Sequence, residues 1–371
     1  MIIENGLVFR DTGQFEKDTI YIENGRIAET AQGERLDAAG LYIVPGLIDI
    51  HLHGCAGFDV CDGTPEVLKG MAEFQLQNGI TAFCPATMAL PLPELEGVLE
   101  NVRKTEYTGG AAILGINLEG TFLAPGKAGA QKKENLCPPD LALFQKLQES
   151  AGGKIRLLTI APELPGAMEF IGGIKETVRI ALGHTGADYD IAASAFQRGV
   201  SHVTHLFNAM EPMGHRRPGV PGAALDAEHV MVELIGDGEH IHPAMVKAVF
   251  KMFGEDRIIL ISDSMRACGM PEGEYTLGGQ QVQVKGKKAL LADGTIAGSV
   301  CHLMDMVRSV VQMGIPLGSA VKCASYNPAK ALGVLAERGS LSAGSVADMV
   351  LLDKDLNIRY IIQEGRVTTC E

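Results

Sequence analysis

Ile48-Asp49-Ile50-His51-Leu52-His53 is the stretch whose reading decides the fold. It continues an aliphatic run, and continuous aliphatic runs mark strands buried on both faces of a parallel sheet. We expect the strand over Ile43–Asp49, with two histidines just past its end. Residues at i and i+2 of an extended chain point to the same side, so His51 and His53 can face one axis and hold one ion.

Working outward, similar runs recur at Ile80–Cys84, Ala112–Leu118, Ile155–Ile160, Arg179–Gly183, His202–Thr204, Val230–Ile235 and Arg257–Ile261. Helical patterns separate them, for instance over Pro65–Asn78, Leu92–Lys104, Pro139–Ser150, Ile191–Arg198 and Pro243–Phe253. Eight strands alternating with helices over roughly 300 residues predict a (β/α)8 TIM-like barrel, with an open doubly wound sheet as the rival topology. The stretch Tyr275–Ala297 has hairpin character and should decorate the barrel.

Both ends of the chain read differently. Met1–Glu4, Leu7–Phe9 and Ile20–Ile22 are short strands followed by Asn24-Gly25, a hairpin dipeptide. Ala347–Leu352 and Ile358–Gln363, the latter followed by Glu364-Gly365, repeat that style. Residues 1–45 with 345–371 are therefore expected to form a small β-sandwich domain, and residues 46–344 the α/β barrel.

The barrel makes a demand: chemistry should sit just past the C-terminal ends of its strands. His51 and His53 follow strand one, Glu119 strand three, His184 strand five and His205 strand six. His240 lies shortly after strand seven and Asp263 follows strand eight. Imidazoles and a carboxylate suit Zn²⁺, Fe²⁺, Mn²⁺ or Co²⁺, one ion or two, with Zn²⁺ the default. His202, His215, His229, His242 and His302, taken singly, are expected to be ordinary hydrogen-bonded residues. His202 stands three residues before His205 and should face the other way in a strand. Asp263 could be a helix N-cap, but its place opposite the candidate metal residues favours a general acid/base.

Composition narrows the classes. The 371 residues carry a net charge of −13, which disfavours nucleic acid and acidic membranes as partners. Hydrophobic residues make up 46% but aromatics only 5%, with 45 glycines, as a Val/Ile/Leu/Ala-rich α/β protein requires. Eight cysteines (55, 61, 84, 137, 268, 301, 323 and 370) lack CxxC spacing and are expected to be reduced thiols. No apolar run reaches the ~18 residues of a spanning helix, and no leader is seen, so a cytoplasmic protein is expected.

The motifs carry a resemblance. Pro-Gly-Leu-Ile-Asp-Ile-His-Leu-His-Gly at 45–54, Leu-Glu-Gly at 118–120, Ala-Pro-Glu at 161–163 and Gly-His-Thr at 183–185 come in order. Thr-His-Leu-Phe-Asn-Ala-Met at 204–210, Arg-Pro-Gly at 217–219, Asp-Gly-Glu-His at 237–240 and Ser-Asp-Ser-Met-Arg at 262–266 follow, then Ala-Gly-Ser at 297–299 and Asn-Pro-Ala at 327–329. In this set the chain resembles the N-acetylglucosamine-6-phosphate deacetylases of the amidohydrolase superfamily, nearly end to end. The resemblance implies hydrolysis of the acetamide of N-acetylglucosamine 6-phosphate to acetate and glucosamine 6-phosphate. It makes Glu119, His184 and His205 the principal metal ligands, with His51 and His53 offering a second position. It makes Asp263 the general acid/base and His240 a contact near the reacting amide. Asn208 and Ala209 become sugar contacts, and Arg216 reaches the substrate phosphate of a neighbouring subunit, implying a homodimer.

Departures fall around the expected substrate. Thr121 replaces a usual Pro, Gln131 stands where a substrate-contacting His is usual, and Val300-Cys301-His302 replaces a Ser/Thr-rich stretch. A related substrate, such as N-acetylgalactosamine 6-phosphate or another acylamino compound, is the nearest alternative. A cyclic amide hydrolase would need a carbamylated Lys at a strand end, and none stands there. A non-catalytic sugar-phosphate binder would have no need of Asp263 beside metals.

Overall fold

The computed structural model describes residues 1–369; Cys370 and Glu371 lie outside the described residues. Its centre is a TIM-barrel-like α/β fold. Parallel strands occupy eight successive positions, at Leu47–Leu52, Ile80–Pro85, Ala112–Ile113 with Ile116–Phe122, Ile155–Ile160, Arg179–Leu182, His202–Val203, Met231–Ile235 and Ile258–Ile261. Hydrogen bonds join Ala112–Ile113, Ile80–Pro85 and Leu47–Leu52 into a three-stranded sheet, and the remaining strands, from Ile116–Phe122 onward, into a six-stranded one. A parallel bridge between Ala86 and Asn117 links the two. On the other side, the Asp263 amide donates to the His51 carbonyl at 2.9 Å. These strands bury almost every side chain, which is why they read as aliphatic runs rather than as alternating patterns.

Two expected strands break, each for a steric reason. Ile43–Asp49 divides at Gly46: Tyr42–Pro45 pairs with Met349–Leu352, while Leu47–Leu52 pairs with Ile80–Pro85. A Cβ on Gly46 would lie 2.1 Å from Thr81 Oγ1, so the chain crosses between the two sheets where only glycine fits. Ala112–Leu118 divides at Leu114-Gly115, and Gly115 has φ +158° with Arg156 packed against it. Gly46→Ala should lower stability by about 1–3 kcal/mol, as overpacking in a filled site does. An earlier urea midpoint with unchanged activity per folded molecule would show it.

The two chain ends share one sheet. Its strand order is Arg366–Thr369, Ile358–Gln363, Met349–Leu352, Tyr42–Pro45, Ile2–Phe9, Phe15–Glu23 and Arg26–Ala28, with Arg35–Asp37 also on Ile2–Phe9. Where a sandwich is expected, hydrogen bonding thus makes a single eight-stranded sheet, because Ile2–Phe9 takes partners on both edges. The two apolar runs at the N-terminus are one strand with an irregularity between Ile3 and Gly6, where Asn5 has φ +66°. Asn24-Gly25 and Glu364-Gly365 both take positive φ at each residue, the backbone of the favoured two-residue hairpin turn.

Helices Leu92–Lys104 and Pro243–Phe253 occur over the expected ranges. The others shift by one or two residues at their ends, to Pro65–Gln77, Leu141–Ser150 and Tyr189–Gln197. The structure adds Ala167–Ile174, Gly219–Asp226, Leu303–Gln312, Leu317–Ala324 and Tyr326–Leu332. The decorating segment is a three-stranded antiparallel sheet, Gly273–Leu277, Gln280–Lys285 and Lys288–Leu290. It has a small core of its own, where Leu277, Val282, Val284 and Ala289 gather with Met88 and Met265. Among the described residues, no helix is long and apolar enough to cross a membrane, and the seven described cysteines are free thiols.

Candidate metal centre

Every candidate ligand of the sequence stands at the same end of the central sheets. His51 is the penultimate residue of Leu47–Leu52 and His53 follows the strand; Glu119 lies within Ile116–Phe122; His184, His205 and Asp263 each come just after a strand. Their ligand atoms gather in two groups, Glu119 with His184 and His205, and His51 with His53 and Asp263, each within 4.8 Å. Glu119 lies between the groups. Its Oε1 is 3.2 Å from His184 Nε2, 3.3 Å from His205 Nε2 and 3.6 Å from His51 Nε2, and its Oε2 is 3.4 Å from His53 Nε2. Asp263 Oδ1 stands 3.4 Å from His53 Nε2 and 3.6 Å from His51 Nε2.

The backbone is bent to bring these groups together. Among the described residues, ten that are not glycine have positive φ, and five lie here: His184, His205, Phe207, Ala209 and Asp263. Such conformations cost of order 1–3 kcal/mol each and persist where surroundings hold them. Gly120 has φ +111°, and a Cβ there would lie 2.2 Å from the Ala89 nitrogen, so the residue after Glu119 must be glycine for the loop that follows Ile80–Pro85 to approach.

The hydrogen bonds behind the ring say what the cluster is built for. His184 Nδ1 faces the Lys127 carbonyl at 2.9 Å, His53 Nδ1 the Ala86 carbonyl at 3.1 Å, and His51 Nδ1 Glu233 Oε2 at 2.9 Å. Each partner only accepts, so each Nδ1 carries the proton and each neutral ring turns a lone pair on Nε2 toward Glu119 and Asp263. His51 Nε2 and Glu119 Oε1 are buried with no hydrogen-bond partner among the described residues. Lone pairs converging on carboxylate oxygens require positive charge between them, supplied by added protons or by a metal ion. The titration directions carry the same message. Burial opposes charge, yet Asp263 and Glu119 hold His53 up at about 9, and Glu233 and Glu119 hold His51 well above its ordinary value. Burial likewise opposes ionisation of Glu119, but the charges of His184 and His51 hold it well below the carboxylate range. A divalent cation fits this donor set of imidazoles and carboxylates without any thiolate.

A cavity of about 380 Å³ opens over the cluster, lined by His53, Glu119, His184, His205 and Asp263, and on its far side by Gln131, Asn208, Ala209 and His240. That is room for a monosaccharide-sized ligand. His240 Nδ1 is 2.7 Å from Asp237 Oδ2. Against burial, that bond and the Asp237 charge raise the His240 pKa.

One expected contact sits elsewhere and another is already engaged. Arg216 is exposed and does not line this cavity within its own chain. Gln131 lines it but is engaged, its Nε2 donating to Glu119 Oε2 at 2.8 Å and its Oε1 accepting from the Ala89 amide at 2.7 Å. Of the other departures, neither Thr121 nor Val300-Cys301-His302 lines the cavity, and His302 caps a helix by accepting from the Asp305 amide. His242 is likewise an N-cap and His229 meets the Val200 carbonyl. His202 belongs to neither ligand group; its Nε2 lies 3.0 Å from Glu233 Oε1. Glu233 and Asp237 are the residues that sequence reasoning passed over. The sequence signal of Glu233 is a carboxylate inside the aliphatic strand Met231–Ile235, and that of Asp237 its place at the head of Asp-Gly-Glu-His.

With this geometry in view, the chain matches the model of the amidohydrolase family over residues 42–369. It is 38% identical over 373 residues to N-acetylglucosamine-6-phosphate deacetylase of Bacillus subtilis (strain 168), covering 99% of this chain and 93% of that protein. It is 35% identical over 331 residues to N-acetylgalactosamine-6-phosphate deacetylase of Escherichia coli O157:H7, covering 88% of each. Among solved structures, an aspartate-to-alanine mutant of the Mycobacterium smegmatis N-acetyl-D-glucosamine-6-phosphate deacetylase, in complex with N-acetyl-D-glucosamine-6-phosphate, superposes with a TM-score of 0.93 at 31% identity, over 100% of this chain and 99% of that one. The chain belongs to the amidohydrolase family, in the branch of the N-acetylglucosamine-6-phosphate deacetylases.

Proposed function

We propose that this protein hydrolyses the acetamide of N-acetylglucosamine 6-phosphate, releasing acetate and glucosamine 6-phosphate, inside a closed (β/α)8 barrel and in the cytoplasm. The observation that carries this is the convergence of the ligand set and Asp263 on one cavity, in a chain matched over nearly its whole length by enzymes of that name.

Glu119, His184 and His205 would hold one divalent ion, and His51 and His53, beside Asp263, a second. Bound there, the metal supplies an activated water and polarises the amide carbonyl. Asp263 takes the proton of the attacking water, since its carboxylate is kept ionised: burial opposes this, but the positive charge gathered at His53 and His51 lowers its pKa. The same carboxyl then returns the proton to the departing amine nitrogen. His240, protonated and braced by Asp237, donates toward the carbonyl oxygen as the tetrahedral species forms. Asn208, Ala209 and Gln131 border the sugar.

Because the Asp237 contact raises the His240 pKa, the charged form persists above the ordinary histidine range and is lost as pH rises through the raised value. Asp237→Asn removes the main support against burial, leaving the charges of Asp263 and Glu239 as the remaining ones. The alkaline limb of kcat/KM should therefore move to lower pH; an unmoved limb would take His240 out of the acid role.

Arg216, exposed on its own subunit, is proposed to reach the phosphate of substrate bound to a partner copy, where a planar guanidinium binds phosphate oxygens in pairs. Arg216→Ala should raise KM for the phosphorylated sugar at least about tenfold, as the loss of a charge-assisted bond of ~1.5–3 kcal/mol implies, while the unphosphorylated sugar is unaffected. Equal KM values would end the phosphate assignment.

A second reading has support in the 35% identity to an N-acetylgalactosamine-6-phosphate deacetylase. Acetate release from both sugar phosphates and from their unphosphorylated forms separates the two. The first reading expects the highest kcat/KM on N-acetylglucosamine 6-phosphate; a preference for the galactose epimer transfers the assignment.

A further inference from the structure

A line of buried polar side chains runs from the opposite end of the central sheets to His51. It begins at Arg179, the first residue of its strand, whose guanidinium donates to the Ser201 carbonyl at 2.8 Å and, through Nε, to His202 Nδ1 at 3.0 Å. His202 Nε2 lies 3.0 Å from Glu233 Oε1, and Glu233 Oε2 lies 2.9 Å from His51 Nδ1. His202, Glu233 and His51 are each 0% exposed, so no water replaces these partners.

The direction of every proton in this line is fixed by chemistry. A guanidinium only donates, so His202 Nδ1 must hold a lone pair and Nε2 the proton. That proton goes to Glu233 Oε1. The carboxylate then accepts on Oε2 from His51 Nδ1–H and from the His205 backbone amide, at 3.0 Å. With its proton held on Nδ1, His51 leaves the Nε2 lone pair toward the cluster. Without Arg179, His202 could adopt the other tautomer and turn a lone pair on the carboxylate, weakening the acceptor that holds His51.

We propose that Arg179 and His202 are positioning residues that set the tautomer and orientation of His51 through Glu233, and so tune the second metal position without touching it. The inference rests on the two-ion reading above. It differs from a merely structural role in its selectivity: the Glu119–His184–His205 position should keep its ion when the line is cut at Arg179 or His202.

The test compares wild type with Arg179→Met, His202→Leu and His202→Gln, each loaded with Zn²⁺ and titrated against a competing chelator. Gln can accept from Arg179 with its oxygen and donate to Glu233 with its nitrogen, whereas Leu does neither. We expect two ions in wild type, a roughly 10–100-fold weaker second ion in Arg179→Met and His202→Leu, as for other partners of metal ligands, and an unchanged first ion. His202→Gln should bind the second ion more tightly than His202→Leu. Should His202→Leu fail to fold, Arg179→Met decides. Two ions held at wild-type affinity in Arg179→Met overturn the relay alone; a single ion in wild type overturns the two-ion reading and the relay with it. Equal weakening of both ions, or no advantage of Gln over Leu, also counts against it.

Discussion

Asp263→Asn should lower kcat by on the order of 10²–10⁴-fold, the usual contribution of a positioned acid/base group, with little change in KM. The substitution keeps the shape of the side chain and removes its capacity to take and return a proton. The backbone there has φ +47° and its amide is bonded to the His51 carbonyl, a conformation that Asn tolerates almost as well as Asp. The variant should therefore fold and keep the ion of Glu119, His184 and His205. Its second ion should weaken, since Asp263 Oδ1 faces both His51 and His53. Single-turnover acetate release alongside metal analysis checks both statements. Unchanged turnover with full metal content would remove Asp263 from the proton transfer.

Glu119→Gln should have a still broader effect. Its two oxygens stand within 3.6 Å of four imidazoles, and it is the sole carboxylate of its own ligand group. A neutral amide removes the negative charge from the middle of the cluster. It also sets one NH2 against lone pairs built for a cation, or against the NH2 of Gln131. Partners of metal ligands already change affinity by about 10–100-fold, and loss of this ligand should exceed about 100-fold at its own position and also weaken the His51–His53 position that its Oε2 faces. At limiting metal the variant should be inactive, and excess metal should restore part of the rate. Retention of two ions at wild-type affinity would show that Glu119 is not a ligand.

What was legible in the sequence, and what was not, follows from how local each determinant is. The paired direction of His51 and His53 is a property of extended backbone. Likewise, His184 and Asp263 could be placed at strand ends because Arg179–Leu182 and Ile258–Ile261 end in aliphatic runs, and His205 because the strand–helix alternation puts a short strand just before it. The break at Gly46 was hidden because Tyr42–Pro45 and Leu47–Leu52 are equally apolar; only Thr81, brought in by another strand, forces the crossing. Glu233 was passed over because its value lies in a partner far along the chain, His51, 182 residues away; Asp237, whose partner His240 is three residues on, was read only as part of a motif. Gln131 was legible as a departure, but not its bonds to Glu119 and Ala89, which depend on a loop folding back over the cluster. The late helices from Leu303 to Leu332 were missed. Leu317–Ala324 and Tyr326–Leu332 are short and largely buried, and a helix apolar on most sides shows little periodicity; Leu303–Gln312 has a clear apolar face, and its pattern was legible.

The most direct test of the account is acetate release from N-acetylglucosamine 6-phosphate by wild-type protein, before chelation, after it, and after reloading with Zn²⁺ or Mn²⁺. The account predicts one acetate and one free amine per substrate consumed, loss of activity on metal removal and recovery on reloading. Fully metal-loaded protein that releases no acetate from this substrate, or activity that survives complete removal of metal, would contradict it.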